Sequence, residues 1–352
     1  MSRPSQSPQP ASQVLALQYL RALSVLAVVA AHQLQEQLPA IKDQASVALD
    51  IFFVGSGFII TALMDWKPVS PGRFRNDRLT RIVPLYWVAT LLSVSIVVSG
   101  HQIWGASTDP LHVAKSLLFI PAFNPKGELW PTMPYGWTLN YEMFFYVLFA
   151  LLLLVPQRWR VAALGGLIGT QVLAGVLLRP HTPLAMTYLD PQMLDFVAGA
   201  LLARLYGMSL VRRTVPVIIA GTLVIAGVMM MFSRWLPGID DSGLAVLILS
   251  GALLAERLGA MPDSAPFRLL GDASYAIYLF QLFADKVVEV FLRQLERRAD
   301  LSFDGTLVHP LLSISAAIGL GLVIHRTIER PMTRIARDLF GNSSSRVARS
   351  GA

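Results

Sequence analysis

Cysteine is absent from the 352 residues. That excludes disulfides, thiolate metal sites, iron–sulfur clusters and thiol nucleophiles. Covalent chemistry is left to His, Ser, Thr, Tyr, Lys or a carboxylate. Charge is scarce as well: 14% of residues are charged, against about 25% in a soluble domain. With 54% of residues hydrophobic, so few charges cannot coat a soluble globule of this length, and the surface is expected to face lipid. No P-loop and no GxGxxG fingerprint is present, so ATP and dinucleotides have no support. No internal repeat is visible either, which argues against a transporter built from duplicated halves. The net charge of +7 would suggest nucleic acid in a soluble protein. Here the basic residues sit in short loops between apolar runs, so they are read as topology signals and no nucleic-acid partner is expected.

What the chain does have is long apolar runs. Ten are long enough to span, at roughly 14–34, 45–65, 79–99, 136–155, 160–179, 189–206, 214–232, 242–258, 269–292 and 308–327; a span needs about 20 residues. A shorter run, 111–123, is bounded by Pro110 and Pro121 and is expected to lie at the interface or re-enter. With the N-terminus inside, the inside loops hold Lys67, Arg73, Arg75, Arg78 and Arg81, then Arg158 and Arg160, then Arg204, Arg212 and Arg213, then Arg257 and Arg268. The C-terminal side adds Arg326, Arg330, Arg334 and Arg337. Every inside loop is basic, as the positive-inside rule requires, and an odd span count would break the alternation. The fold class is therefore all-α: a polytopic membrane protein of about ten transmembrane helices, with both termini cytoplasmic, multi-pass in an inner (plasma) membrane. Residues 1–13 read as a disordered cytoplasmic tail, 14–330 as the membrane domain and 331–352 as a basic cytoplasmic tail.

An ionisable side chain inside a span costs about 2.5–3.5 kcal/mol and is a functional candidate by default. The first span holds Arg21 and His32. Eleven residues come within about 20° of three helical turns, so the two share a face, roughly 16 Å apart along the axis. Taken singly, Arg21 could snorkel and His32 could sit at the interface; the common face favours a joint role. The second span opens at Asp50, which would stand at the outer depth of His32 and could hold its tautomer. Gly55, Ser56 and Gly57 follow and suit close helix approach. In the fourth span Trp137, Tyr141 and Tyr146 could form an aromatic belt. A belt does not need Asn140 and Glu142, which read as sugar-binding or ion-pairing groups. In the ninth span Asp272 suits an N-cap. Ser274, Tyr278 and Gln281 follow at i, i+4 and i+7, a polar stripe that either glues helices or lines a cavity. Four arginines fall within residues 73–81. They determine topology, but Arg78 and Arg81 are also one turn apart and could grip one anion. Guanidinium groups suit phosphates, and a cytosolic coenzyme A thioester is the natural candidate.

These segments carry a resemblance. Leu20-Arg21-Ala22-Leu23 through His32, Asp50 to Phe58, Arg78-Leu-Thr-Arg81 to Trp87, Trp137 to Tyr146, Gly271 to Leu279 and Glu329-Arg-Pro331 together resemble the acyltransferase 3 family of integral-membrane acyltransferases. The likeness is greatest to the subgroup that O-acetylates exopolysaccharides and related glycans. The segments stand in family order over nearly the whole chain.

The resemblance implies an acyl-CoA donor, usually acetyl-CoA, and a hydroxyl of a carbohydrate acceptor, with no tightly bound cofactor and no metal. It gives the histidine matching His32 the central catalytic role and the arginine matching Arg21 a supporting one, and it turns Arg75, Arg78 and Arg81 towards the donor. Asp50 and Glu142 join the catalytic candidates; Asn140, Tyr141, Ser274, Tyr278 and Gln281 are candidates for the acceptor. The family's ninth-span motif commonly ends in His where this chain has Gln281, which cannot relay a proton. Proteins of this type work beside glycan-assembly enzymes, the expected partners besides donor, acceptor and bilayer. The alternative is a transporter or flippase for a glycan precursor, its intramembrane charges lining a path.

Overall fold

The computed structural model describes residues 14–341 apart from 40, 102, 104, 208–240, 258, 301 and 304. The expected span 214–232, loop residues Arg212 and Arg213, and the tails 1–13 and 342–352 lie outside the described residues. All regular structure among the described residues is helical. Five helices among the described residues are long and apolar enough to cross a membrane: Leu15–Leu34, Ala45–Trp66, Pro71–Val98, Gln157–Leu178 and Val308–Leu339. They coincide with the first, second, third, fifth and tenth expected spans. The chain divides into two compact units: Met1–Pro68 with Leu194–Ser274, and Val69–Met193 with Tyr275–Ala352.

The first unit is built from α1 (Leu15–Leu34), α2 (Ile41–Trp66), α8 (Leu194–Gly207), α9 (Asp241–Arg257) and the opening residues of α10 (Ala265–Ala299). Its core joins Leu17 and Leu20 of α1, Val54, Phe58 and Ala62 of α2, Ala203 of α8, and Ala245, Leu249 and Leu253 of α9. Two glycines let α2 and α8 touch backbone to backbone. A Cβ on Gly57 would collide with the Phe196 carbonyl, and one on Gly199 with the Val54 carbonyl. Between helices in lipid, close packing replaces the hydrophobic drive that water supplies. Gly55, by contrast, faces open space, so only one of the two glycines flanking Ser56 serves the approach. The start of α1 is closed by Glu256, whose carboxylate oxygens accept from the backbone N–H groups of Leu15 (2.9 Å) and Ala16 (3.0 Å). This satisfies orphan donors at the positive end of the helix dipole.

The second unit contains α3 (Pro71–Val98), α4 (Pro110–Leu117), α5 (Trp137–Leu152), α6 (Gln157–Leu178), α7 (Pro183–Tyr188), the remainder of α10, α11 (Val308–Ile324) and α12 (Arg330–Gly341). Ser70 caps α3, accepting from the Arg73 N–H at 3.4 Å, and Pro71 takes the first turn where no N–H is needed. The arginine segment expected as a loop is therefore the start of a helix. α5 runs antiparallel to α3: Phe149 and Tyr146 pack on Phe74, while Gly136, just before α5, lies against Tyr86. At 16 residues, α5 is about 24 Å long and pairs with only the first half of α3. The other half is covered by the segment 110–136. The Trp87 indole N–H donates to the Leu117 carbonyl (2.9 Å), Tyr86 and Phe119 rings lie 4.7 Å apart, and Met133 meets Ser93. The run 111–123 thus packs along α3.

Other boundaries moved. The expected span 189–206 is interrupted: α8 begins at Leu194. α10 begins at Ala265, so Asp272 lies inside the helix and is not its N-cap. α2 begins at Ile41, so Asp50 stands nine residues within it instead of opening it.

Replacing Gly199 by Val should lower stability by about 3 kcal/mol through overpacking, whereas Gly55→Val should have little effect; thermal unfolding of the detergent-purified protein measures both. His112 in α4 is buried, and that burial pushes its imidazole below the ordinary histidine value. The unfolded chain then takes a proton that the folded one refuses, so stability should fall as pH drops below about 6.5. His112→Gln should flatten that fall in unfolding curves taken at graded pH.

Candidate active site

In the first unit the residue pair with chemistry is anchored from α1 to α10. The Arg21 guanidinium donates to the Ser274 hydroxyl (3.0 Å), which itself donates to the Gly271 carbonyl (2.9 Å). Gly271 is required here because a Cβ would strike the Gln18 carbonyl. The helices therefore meet closely enough for a guanidinium to reach a buried hydroxyl. His32 lies two residues before the end of α1, half-buried, on the face that carries Arg21. Asp50 is buried in α2, at 5% exposure.

The second unit gathers the other candidates where α3 and α5 run side by side. Arg78 stacks its guanidinium over the Phe74 ring, 5.7 Å from its centroid. Arg81, Glu142 and Tyr146 are its electrostatic neighbours. The Tyr146 hydroxyl donates to the Glu142 carboxylate in a short hydrogen bond. The buried Arg78 Nε has no hydrogen-bond partner among the described residues. Arg75 does not join them; it is exposed and bonds to its neighbour Asn76 (3.4 Å). Of the three arginines that the resemblance turns towards the donor, Arg75 is thus set apart from Arg78 and Arg81.

Asn140 is buried with its side-chain oxygen unpartnered, while Tyr141 packs edge-on to Trp137 and lies beside Asp190. Successive residues of α5 thus serve different faces, with Glu142 turned to the arginines. The stripe of α10 is likewise divided in its partners. Ser274 bonds Arg21 in the first unit. Tyr278, in the second, accepts from the Thr138 hydroxyl (3.3 Å). Gln281 donates to the Tyr278 carbonyl (3.0 Å) and is buried, so it acts as a local hydrogen-bonding group.

Several polar residues escaped the sequence reading. Tyr146 is a partner of Glu142 and not a belt residue. Tyr275 donates to the Ile82 carbonyl (2.9 Å), two residues before the helix-internal Pro84. His325 and Glu329 form a buried pair, Nδ1 to Oε2 at 2.7 Å, inside a π-helical turn between α11 and α12. Such turns recur at functional sites, and the i, i+4 spacing of an acid and a histidine was a legible signal. Asp285 follows Gln281 by one turn and extends the stripe to a fourth position; its spacing, too, was legible.

An all-helical membrane protein with intramembrane arginines, a histidine and carboxylates belongs to the class of integral-membrane enzymes and carriers. Comparison with known proteins resolves the class. A family profile described as an acyltransferase domain matches residues 14–326, and the chain belongs to that family, acyltransferase 3. It is 34% identical over 300 residues to the exopolysaccharide production protein ExoZ of Rhizobium meliloti, covering 83% of this chain and 90% of that protein. It is 25% identical to the acyltransferase MdmB of Streptomyces mycarofaciens, over 90% of each chain. It is 26% identical to the peptidoglycan O-acetyltransferase OatA of Listeria monocytogenes, covering 74% of this chain and 47% of that one. No solved structure matches.

Ser274→Ala would leave Arg21 short of a partner in a low-dielectric setting. A loss of about 1–3 kcal/mol is expected, read as a lowered unfolding midpoint, with Ser274→Thr restoring most of it.

Proposed function

We propose that the protein is an inner-membrane O-acyltransferase that moves an acyl group, acetyl by default, from cytosolic acyl-CoA to a hydroxyl of an exported or cell-surface carbohydrate. The observation that carries this reading is the match to the acyltransferase family over nearly the whole chain, with Arg21, His32 and the Arg78/Arg81 pair lying inside the matched residues. The likeness to ExoZ, an exopolysaccharide production protein, and OatA, a peptidoglycan O-acetyltransferase, supports a surface polymer as acceptor.

A hydroxyl is a poor nucleophile until a base takes its proton. His32 is assigned that role, and Asp50, a buried carboxylate of the same unit, favours the imidazolium that results. The acceptor oxygen bonds to the thioester carbonyl carbon, and the developing oxyanion draws on a donor such as the Arg21 guanidinium. The C–S bond then breaks, coenzyme A leaves as its thiolate, and the proton held on His32 is returned to it. Arg78 and Arg81 are assigned to the phosphates of the donor, where guanidinium groups pair bidentately. Glu142, tied to Tyr146, balances the arginine charge until the donor arrives. Asn140, with its free buried oxygen, Tyr141, Tyr278 and Gln281 are assigned to the acceptor. A flippase without chemistry would use the same charges as a path but would consume no donor.

The test is transfer of label from radiolabelled acetyl-CoA to a panel of glycans by the purified protein. His32→Ala should reduce transfer by at least about a hundredfold, the usual contribution of a general base, with donor binding retained. Full transfer by His32→Ala at normal expression would refute the mechanism. Absence of donor turnover in folded wild type would favour the flippase.

A further inference from the structure

Within the second unit, α10 and α11 are tied by a carboxylate that none of the assignments above uses. Asp285 lies twenty residues into α10, about 30 Å along its axis. The Ser313 hydroxyl of α11 donates to its Oδ1 at 2.8 Å. His309, one turn earlier on α11, brings Nε2 to 3.6 Å from the same oxygen, too long for a hydrogen bond. Ser313 is buried, but the side chains of His309 and Asp285 are 35% and 30% exposed. The cluster therefore opens outward, with the second carboxylate oxygen and the imidazole N–H still available. Tyr135 stands beside Asp285, its ring 5.7 Å from that of Tyr278.

Tying two helices would need only the Ser313 bond. The chemistry of the cluster narrows what it could take. A phosphate or other anion is repelled by Asp285. A hard cation wants six or more oxygens, and here one carboxylate and one hydroxyl are on offer. A neutral polyhydroxylated molecule fits: a hydroxyl can donate to Asp285 Oδ2 and accept from His309 Nε2–H, and a neighbouring sugar face can pack on the Tyr135 ring.

We propose that Asp285 and His309, backed by Ser313, form a hydroxyl-binding subsite for the carbohydrate acceptor. The proposal rests on the acyltransferase reading for the identity of the ligand, and it adds two residues, Asp285 and His309, that the family motifs do not include. On the topology expected from the charged loops, the cluster lies at the outer end of α10, where an exported glycan would enter. Asp285 binds and orients; it moves no proton.

The experiment uses the full chain and oligosaccharides cut from the source cells' own exopolysaccharide after alkaline de-O-acetylation. Their binding is measured by titration without donor, and label transfer from acetyl-CoA is measured separately. Asp285→Asn and His309→Gln should each weaken oligosaccharide binding, and raise the acceptor KM, by about tenfold, the value of a hydrogen bond to a charged group. The donor KM should stay unchanged. Ser313→Ala, which removes the helix tie but keeps the two ligand groups, should bind within about threefold of wild type. The proposal is overturned if wild type does not bind the oligosaccharides, or if Asp285→Asn binds as wild type does. It is also overturned if Ser313→Ala reproduces the Asp285→Asn loss with the same fall in unfolding temperature, since Asp285 would then be helix glue. Wild type that binds oligosaccharide but transfers no label would remove the acyltransferase reading and leave the subsite standing on its variants.

Discussion

A polar group surrounded by hydrocarbon has no water to fall back on, and the architecture follows from that constraint. Helices answer it for the backbone, and every described element of regular structure is helical. Where a helix begins, the first N–H groups still need acceptors. Glu256 provides them for α1 and Ser70 one for α3. The same demand governs side chains. Arg21 is held by Ser274, Tyr146 by Glu142, Ser313 by Asp285 and His325 by Glu329. Each of these pairings links residues on a helix or between helices, so satisfying a polar group also fixes a helix position.

Close approach is the second consequence. Apolar surfaces gain little by meeting each other when lipid is equally apolar, so van der Waals contact must be tight. Gly57 and Gly199 remove the side chains that would keep α2 from α8, Gly271 does so beside Gln18 of α1, and Gly136 beside Tyr86. The contact at Gly271 sits one turn from Ser274, so the packing of α1 on α10 and the anchoring of Arg21 are a single arrangement.

The pairing of α3 with a short α5 has a functional consequence. Because α5 covers only part of α3, the remainder is free to carry the segment 110–136, with its buried His112, Ser116, Asn124 and Thr132. Polar loop atoms at such a position are tolerated only where protein encloses them. Ser116 and Thr132 accordingly bond each other. The short helix also sets Glu142 beside the arginines: a crossing that began one or two turns earlier in the chain would carry that carboxylate away from Arg78 along α3.

The sequence by itself determined the solvent, the helical class and the family, and it named the candidate chemistry-bearing residues. Hydropathy and charge scarcity are sums over local composition, and the family motifs are local strings, so neither needs tertiary contacts to be read. The helix periodicity sufficed to place Arg21 with His32 and Arg78 with Arg81 on common faces. Boundaries were less legible: α2, α3 and α10 each begin well before the apolar run they contain, because polar residues extend a helix past the stretch that hydropathy detects. Only the tertiary structure showed which neighbours the arginines have. Arg78 lies near Arg81, Glu142 and Tyr146, while Arg75 turns to Asn76, a distinction set by the helix packed alongside. It also decided that Gly57 packs and Gly55 does not, and that Asp285 meets Ser313 and His309 of the next helix in the chain. Those outcomes depend on which neighbour a side chain meets, and that is a property of the packed helices, not of any one of them.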